Sequence, residues 1–303
     1  MKVILTGSNG FVGGHLLAFL RAIKFEVIVV SSTKNSSNSS NSIDFSYEDF
    51  FNNKFCCDGV DTFIHISGAA HRTFSDEEAR NINYILTKKI VDKCVGLKIP
   101  RIIFLSSVNM YKEQRSRVDL TTKICKELIN TSSTKLQAED YIRSISSKDL
   151  IKFVIIRSPL IYGLGVKANF ASLMRFVGGG LPLPFRSIKN NKRSLVSVYN
   201  LVDLIKVCID HPQAVNQIFL VSDDNDLSTA EMVALMAMVQ NKTNLALPVP
   251  VWCFKLAGRF LNKRDVIDRL TGSLQLDITH TKNTLNWKPP YSVEHGFKLA
   301  AKK

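Results

Sequence analysis

Five short runs rich in Val and Ile constrain this chain most: KVILT (2–6), EVIVV (26–30), DTFIHI (61–66), RIIFLSS (101–107) and KFVIIRS (152–158). Each is apolar on both faces, as strands of a parallel sheet covered on both sides by helices must be. Between them, residues 11–23, 78–97 and 133–146 carry helical spacing. That alternation predicts an α/β fold built on a doubly wound parallel sheet. Beyond residue 165, Gly and Pro punctuate the chain more densely (YGLGVK, GGGLPLP, LPVPVW, NWKPP), and helical patterns shorten. We therefore expect a main domain over 1–165, with about 195–221 returning to it. A smaller mixed C-terminal region would cover 166–194 and 222–303. There is no internal repeat. The Ser/Asn tract SSTKNSSNSSNS (31–42) cannot bury apolar area and is expected to be a mobile surface loop.

At 303 residues the chain has ample core, and 45% apolar with 22% charged residues is ordinary for a soluble protein. The net charge of +14 is not ordinary. It fits an anionic partner, such as a phosphorylated substrate or a membrane surface, and equally a surface covered with solvated Lys. No run of Lys/Arg exceeds two residues, which argues against a nucleic-acid arm. The six cysteines (56, 57, 94, 125, 208, 253) form no CxxC pair and no metal-ligand spacing with His, so no metal is expected and reduced thiols suffice. Gly7, Ser8, Asn9 and Gly10 interrupt the N-terminal apolar stretch, against a signal peptide. No run reaches the roughly 18 apolar residues of a membrane span. A soluble, cytoplasmic protein is the expectation.

The first strand leads into its helix through Gly7-Ser8-Asn9-Gly10-Phe11-Val12-Gly13. Glycines at this G-x-x-G-x-x-G spacing allow a tight turn, let backbone approach a pyrophosphate, and let the helix pack on the strand. The free N–H groups of the helix N-terminus then face the anion. A plain tight turn would not need the third glycine. Where an Asp or Glu would bind the ribose 2′-hydroxyl of NAD, strand two ends in Ser31, followed by Ser32, Thr33 and Lys34. Hydroxyls with a lysine suit a 2′-phosphate, so NADP(H) is favoured and NAD(H) is the alternative.

With these residues in hand, the chain resembles the extended short-chain dehydrogenase/reductases of the nucleotide-sugar epimerase/dehydratase group, which implies a Rossmann-like fold. In FIHISGAAH (63–71), Ser67 and Gly68 would back the cofactor; Asn83 and Thr87 match an N-x-x-x-T pattern. FLSSVNMY points to Ser107 as the catalytic hydroxyl, and IIRSPLIYGLG places Pro159 beside the nicotinamide. GVKANFASLMRFVGGGLPLP, KRSLVSVYNLVDLI, FLVSDDNDLSTAEM, DRLTGSL and LNWKPP are similar to UDP-4-keto-6-deoxy-N-acetylhexosamine 4-reductases and UDP-sugar 4-epimerases. The resemblance implies a UDP-sugar substrate in bacterial surface polysaccharide synthesis. Asn169 would touch its phosphate and Arg193 clamp its diphosphate, unless Arg193 is a surface ion pair. Arg269 is a further candidate for the anion, or else a partner of Asp268 or Asp265. Pairing through two helices into a homodimer is implied as well.

One catalytic position departs from that pattern. Lys135-Leu-Gln-Ala-Glu139 matches the lysine motif, so Thr131 stands where a catalytic tyrosine is expected. An aliphatic hydroxyl is a far weaker acid than a phenol of pKa about 10, and it is shorter by a ring. A water could relay a proton from Lys135 or Ser107. Tyr111 and His71 are other candidate acids, while His65 reads as core and Tyr141 lies on another helix face. Three readings compete: a UDP-hexosamine C4 enzyme; a 4-epimerase of undecaprenyl-diphosphate-linked N-acetylglucosamine, with the basic-apolar stretch VWCFKLAGRFLNKR on a membrane surface; and a cofactor-binding protein with little catalysis.

Overall fold

The computed structural model describes residues 1–32, 43–52, 57–68, 74–111, 117–125, 130–260 and 264–302. The main sheet takes its strands in the expected places: β1 (Lys2–Thr6), β2 (Glu26–Ser31), β3 (Ile43–Ser46), β4 (Thr62–His65), β5 (Arg101–Ser107), β6 (Lys152–Ser158) and, much later, β9 (Gln217–Leu220). All seven run parallel in the order β3-β2-β1-β4-β5-β6-β9. Strand order reverses between β1 and β4, and such a switch point opens a crevice at the carboxyl ends of the strands. β3 is a strand the sequence pattern missed: IDFS lacks the Val/Ile run that marks the central strands, because an edge strand pairs on one side only.

Helices α1 (Phe11–Ala22), α2 (Tyr47–Phe51), α3 (Asp76–Arg80), α4 (Leu86–Gly96) and α5 (Asn130–Ser146) connect these strands. The single helix expected over 78–97 is in fact α3, a π-helical turn at Asn81–Ile85, and α4. Two apolar clusters sandwich the sheet. One packs Leu5, Leu16, Leu105 and Ile156 against α7 (Val198–Asp210); the other packs Ile4, Phe63, Phe104 and Ile155 against α4 and α5.

The C-terminal region contains β7 (Leu160–Tyr162), β8 (Leu195–Ser197), and α6 (Ala168–Gly178), α8 (Thr229–Val239), α9 (Val251–Phe260), α10 (Arg264–Thr271), α11 (Thr279–Leu285) and α12 (Val293–Ala300). β7 and β8 pair in a separate parallel ladder, while β9 completes the main sheet, so the segment 195–221 is shared between the two regions. A buried polar knot fixes the junction. The Tyr162 hydroxyl donates to Asp223 at 2.6 Å, and Asp223 also accepts from the Ser197 backbone N–H at 2.8 Å and from Asn200 at 2.7 Å. The tract at 33–42 lies outside the described residues, as do Lys34 and His71.

Candidate active site

At the carboxyl end of β1, Gly7 takes φ +80°, and a Cβ there would meet the Ser67 backbone N at 2.9 Å. A Cβ on Gly13 would lie 2.0 Å from the Gly7 carbonyl oxygen. Gly7 thus lets the loop press on the end of β4, and Gly13 lets α1 press on the loop. Only Gly10 closes the turn by its backbone, donating to the Gly7 carbonyl at 2.9 Å. Inside this loop the Ser8 hydroxyl is buried with no hydrogen-bond partner among the described residues. A cradle that any Cβ would fill, with a spare buried hydroxyl, fits a pyrophosphate at the N-terminus of α1. Phe11 opens that helix, its ring edge-on to His15.

Ser31 ends β2, buried beside β3. Ser67 carries its hydroxyl 2.9 Å from that of Tyr47, which joins the crevice from α2. Tyr47 and Asp44 were passed over in the sequence. Asp44 on β3 has one carboxylate oxygen buried with no partner among the described residues, an acceptor available to a ligand N–H. Neither belongs to a recognisable motif.

On the other side of the switch point, Lys135 on α5 donates to the Leu105 carbonyl at 3.3 Å. Gly68 makes room for it: a Cβ at Gly68 would meet the Asn83 Oδ1 at 3.3 Å and the Lys135 Nζ at 3.6 Å. Loss of water around the ammonium lowers the Lys135 pKa to about 8, with Glu139 opposing that shift. Asn83, buried in the π-helical turn, donates to the Thr134 hydroxyl at 3.1 Å and to the Thr131 carbonyl at 3.5 Å. Such turns recur at functional sites. This one ties the first turn of α5, where Thr131 sits, to the helix beside it. Ser107 ends β5 half-buried, its hydroxyl accepting from the Asn109 N–H at 3.2 Å. It pairs in register with Ser158, and Pro159 follows directly.

Other titratable side chains nearby are engaged elsewhere. The Tyr111 hydroxyl is buried against the Arg157 guanidinium, and burial raises its pKa. Tyr141 donates to Asp92 on the outer face. His65 is core: it is fully buried between the Thr6 and Thr87 hydroxyls, at 2.7 and 2.9 Å, and burial lowers its pKa to about 3.

Leu160, the residue after Pro159, lines a cavity of about 430 Å³ in the C-terminal region. Asn169, Arg193 and Arg269 all line it, among mainly apolar neighbours such as Phe170, Leu173 and Leu183. Asn169 sits in the first turn of α6. Arg193 exchanges both backbone bonds with Leu227, its neighbours Lys192 and Ser194 bond Leu274, and its guanidinium donates to the Gly272 carbonyl at 3.2 Å. Beside it the buried Asn191 donates to the Leu270 and Gly272 carbonyls at 3.2 Å, fixing the end of α10 that carries Arg269.

Residues 3–222 match the family model described as the NAD dependent epimerase/dehydratase family. The chain is 42% identical, over 99% of its length and 94% of the relative's, to a UDP-glucose 4-epimerase of Vibrio cholerae. It is 23% identical, over 78% and 76%, to an N-acetyl-alpha-D-glucosaminyl-diphospho-ditrans,octacis-undecaprenol 4-epimerase of Escherichia coli O157:H7. Among solved structures, a UDP-glucuronic acid 4-epimerase from Bacillus cereus in complex with NAD shares the fold with TM-score 0.78 at 16% identity, covering 99% and 97% of the two chains. With the glycine loop and the desolvated lysine set at the carboxyl ends of the strands, the family match over residues 3–222 and the 42% identity over nearly the whole chain place it in the NAD-dependent epimerase/dehydratase family.

Proposed function

We propose that this enzyme performs nicotinamide-dependent oxidoreduction at C4 of a UDP-linked hexose or N-acetylhexosamine. Epimerisation at C4 is the first reading and reduction of the corresponding 4-keto sugar the second. The observation that carries the proposal is the meeting of Asn169, Arg193 and Arg269 in one cavity, next to the strand ends that bear Ser107 and Pro159. Free N–H groups at the start of α6 and two guanidinium groups suit a diphosphate, and the apolar lining suits the faces of uracil and sugar. The name of the 42%-identical relative supports the 4-epimerase reading. A sugar carried on undecaprenyl diphosphate shares the same C4 chemistry and the same diphosphate, and has the weaker relative as its support.

Bound nicotinamide would supply hydride exchange with the sugar carbon. The chain's own task is then to hold the C4 oxygen and to move its proton. Ser107 is the hydroxyl for the first task. For the second, Lys135 is better matched than Thr131: an amine titrating near 8 can give and take a proton at working pH, directly or through one water. Gly7, Gly10, Phe11, Gly13, Ser31, Ser67, Gly68 and Pro159 would border the dinucleotide, and Lys135 its ribose. NADP(H) remains our preference over NAD(H), on Ser31, Ser32 and Lys34 in place of a carboxylate. Tighter NAD(H) than NADP(H) binding would remove that preference.

Calorimetric titration with UDP tests the cavity assignment. Arg193→Ala should weaken binding by about 10- to 100-fold, as loss of a charge-assisted pair does. Unchanged UDP affinity would sink the assignment.

A further inference from the structure

Helix α9, VWCFKLAGRF, has two working faces. Its inner face docks through Phe254, whose ring stacks on Phe185 of the cavity lining at 5.9 Å between centroids, and through the buried Gly258. Its outer face is not that of a water-facing helix. Trp252, Leu256 and Phe260 recur every four residues, which sets them in one stripe, and they are 66%, 46% and 80% exposed. Exposed Lys255 and Arg259 flank the stripe, and α9 contains no acidic residue.

The apolar surface does not stop at α9. Leu245 and Leu247, in the segment leading into it, are also exposed, as are Leu181 and Phe176 at the end of α6 and Val266 on α10. Backbone bonds stitch these pieces together, Leu247 donating to the Leu183 carbonyl at 2.7 Å and accepting from the Arg186 N–H at 3.1 Å. Phe176 and Val266 line the cavity itself, and Phe254 on the inner face of α9 stacks on the lining residue Phe185, so α9 packs beside the cavity.

We propose that this face docks the enzyme onto an anionic lipid bilayer, with α9 lying in the interface and the substrate cavity opening beside the membrane surface. Charge decides the occupant. A net +14 chain presents exposed Trp, Leu and Phe flanked by exposed Lys255 and Arg259 on a helix without an acidic residue. Aromatic and apolar side chains in one stripe suit the headgroup boundary, and cations beside them suit lipid phosphates. Ten residues rise only about 15 Å, too short to cross the hydrocarbon core, so the helix lies along the surface. This inference stands independently of the C4 chemistry.

The test uses the full chain with vesicles of phosphatidylcholine alone and of phosphatidylcholine mixed with phosphatidylglycerol. Wild type should sediment with the mixed vesicles and remain in the supernatant with the neutral ones. Trp287 is buried, so a blue shift of tryptophan emission on adding mixed vesicles would report on Trp252. Trp252→Ser/Phe260→Ser, and separately Lys255→Glu/Arg259→Glu, should lower the bound fraction about tenfold or more while keeping the melting temperature. Wild type that ignores both vesicle types overturns the proposal. So does a dimer in solution that the Trp252→Ser/Phe260→Ser variant dissociates without any vesicle binding, since the stripe would then be an interface between copies.

Discussion

Lys135 and Thr131 sit one turn apart on α5, and in the proposed mechanism the contrast between them sets how a proton leaves or reaches the substrate. The lysine pKa falls from its ordinary value to about 8 because the folded chain strips water from the ammonium. If Lys135 is the base, kcat/KM should climb with pH to about 8 and then level off, which a pH–rate profile reads directly. The same shift has a cost in stability. Between pH 8 and 10.5 the unfolded chain binds a proton that the folded chain does not, so stability from this group rises with pH across that window. Lys135→Met should therefore abolish turnover yet stabilise the fold at pH 7, by up to about 3 kcal/mol. Denaturant melts should show that gain shrinking as pH passes 8 and gone above 10.5. Restoring the phenol is the complementary change: Thr131→Tyr should raise kcat by about 10²- to 10⁴-fold, the usual worth of a positioned acid. No change in kcat would mean that the proton already travels by an equally good route.

Elements are placed by close approaches that side chains would prevent, and by one buried ion pair. At Gly13 the added methyl of Gly13→Ala would fall 2.0 Å from the Gly7 carbonyl, backbone against backbone, so α1 must move. We expect about 1–3 kcal/mol of lost stability by urea melt and dinucleotide affinity below detection by calorimetry. Behind α5, Glu139 and Arg157 form a buried pair at 2.6 Å, with the Tyr111 hydroxyl on the same guanidinium. Glu139→Ala leaves that guanidinium uncompensated and should cost about 3–5 kcal/mol. The helix carrying Lys135 would then lose its anchor to β6. Of these two features the glycine cradle was legible, because only a missing Cβ permits the approach. The Glu139–Arg157 pair was not foreseen, since nothing in the sequence signals that residues 18 apart in number meet between α5 and β6. β3 was missed for lack of an apolar run, and the π-helical turn because its spacing differs from an α-helix by one residue in a turn.

Across the whole molecule, the main sheet presents one edge of chemistry, the carboxyl ends of β1, β4, β5 and β6, and the C-terminal region supplies the cavity beside it. The five Val/Ile strands made that sheet readable, and Asn169, Arg193 and Arg269, named from the resemblance, line one cavity. Periodicity did not reveal the shared role of 195–221, with β8 in a small ladder and β9 in the main sheet, because pairing partners are set by tertiary packing. Tyr47, Asp44 and Asn83 owe their place in the crevice to the same packing. No helix among the described residues is long and apolar enough to cross a membrane. The central claim is C4 chemistry on a UDP-sugar. Its most direct measurement is to incubate the purified enzyme and added NAD or NADP with UDP-glucose or UDP-N-acetylglucosamine, and to follow the sugar by NMR. The account predicts appearance of the C4 epimer with wild type and none with Lys135→Met; an unchanged sugar with wild type, under conditions where calorimetry shows both cofactor and UDP-sugar bound, would contradict it.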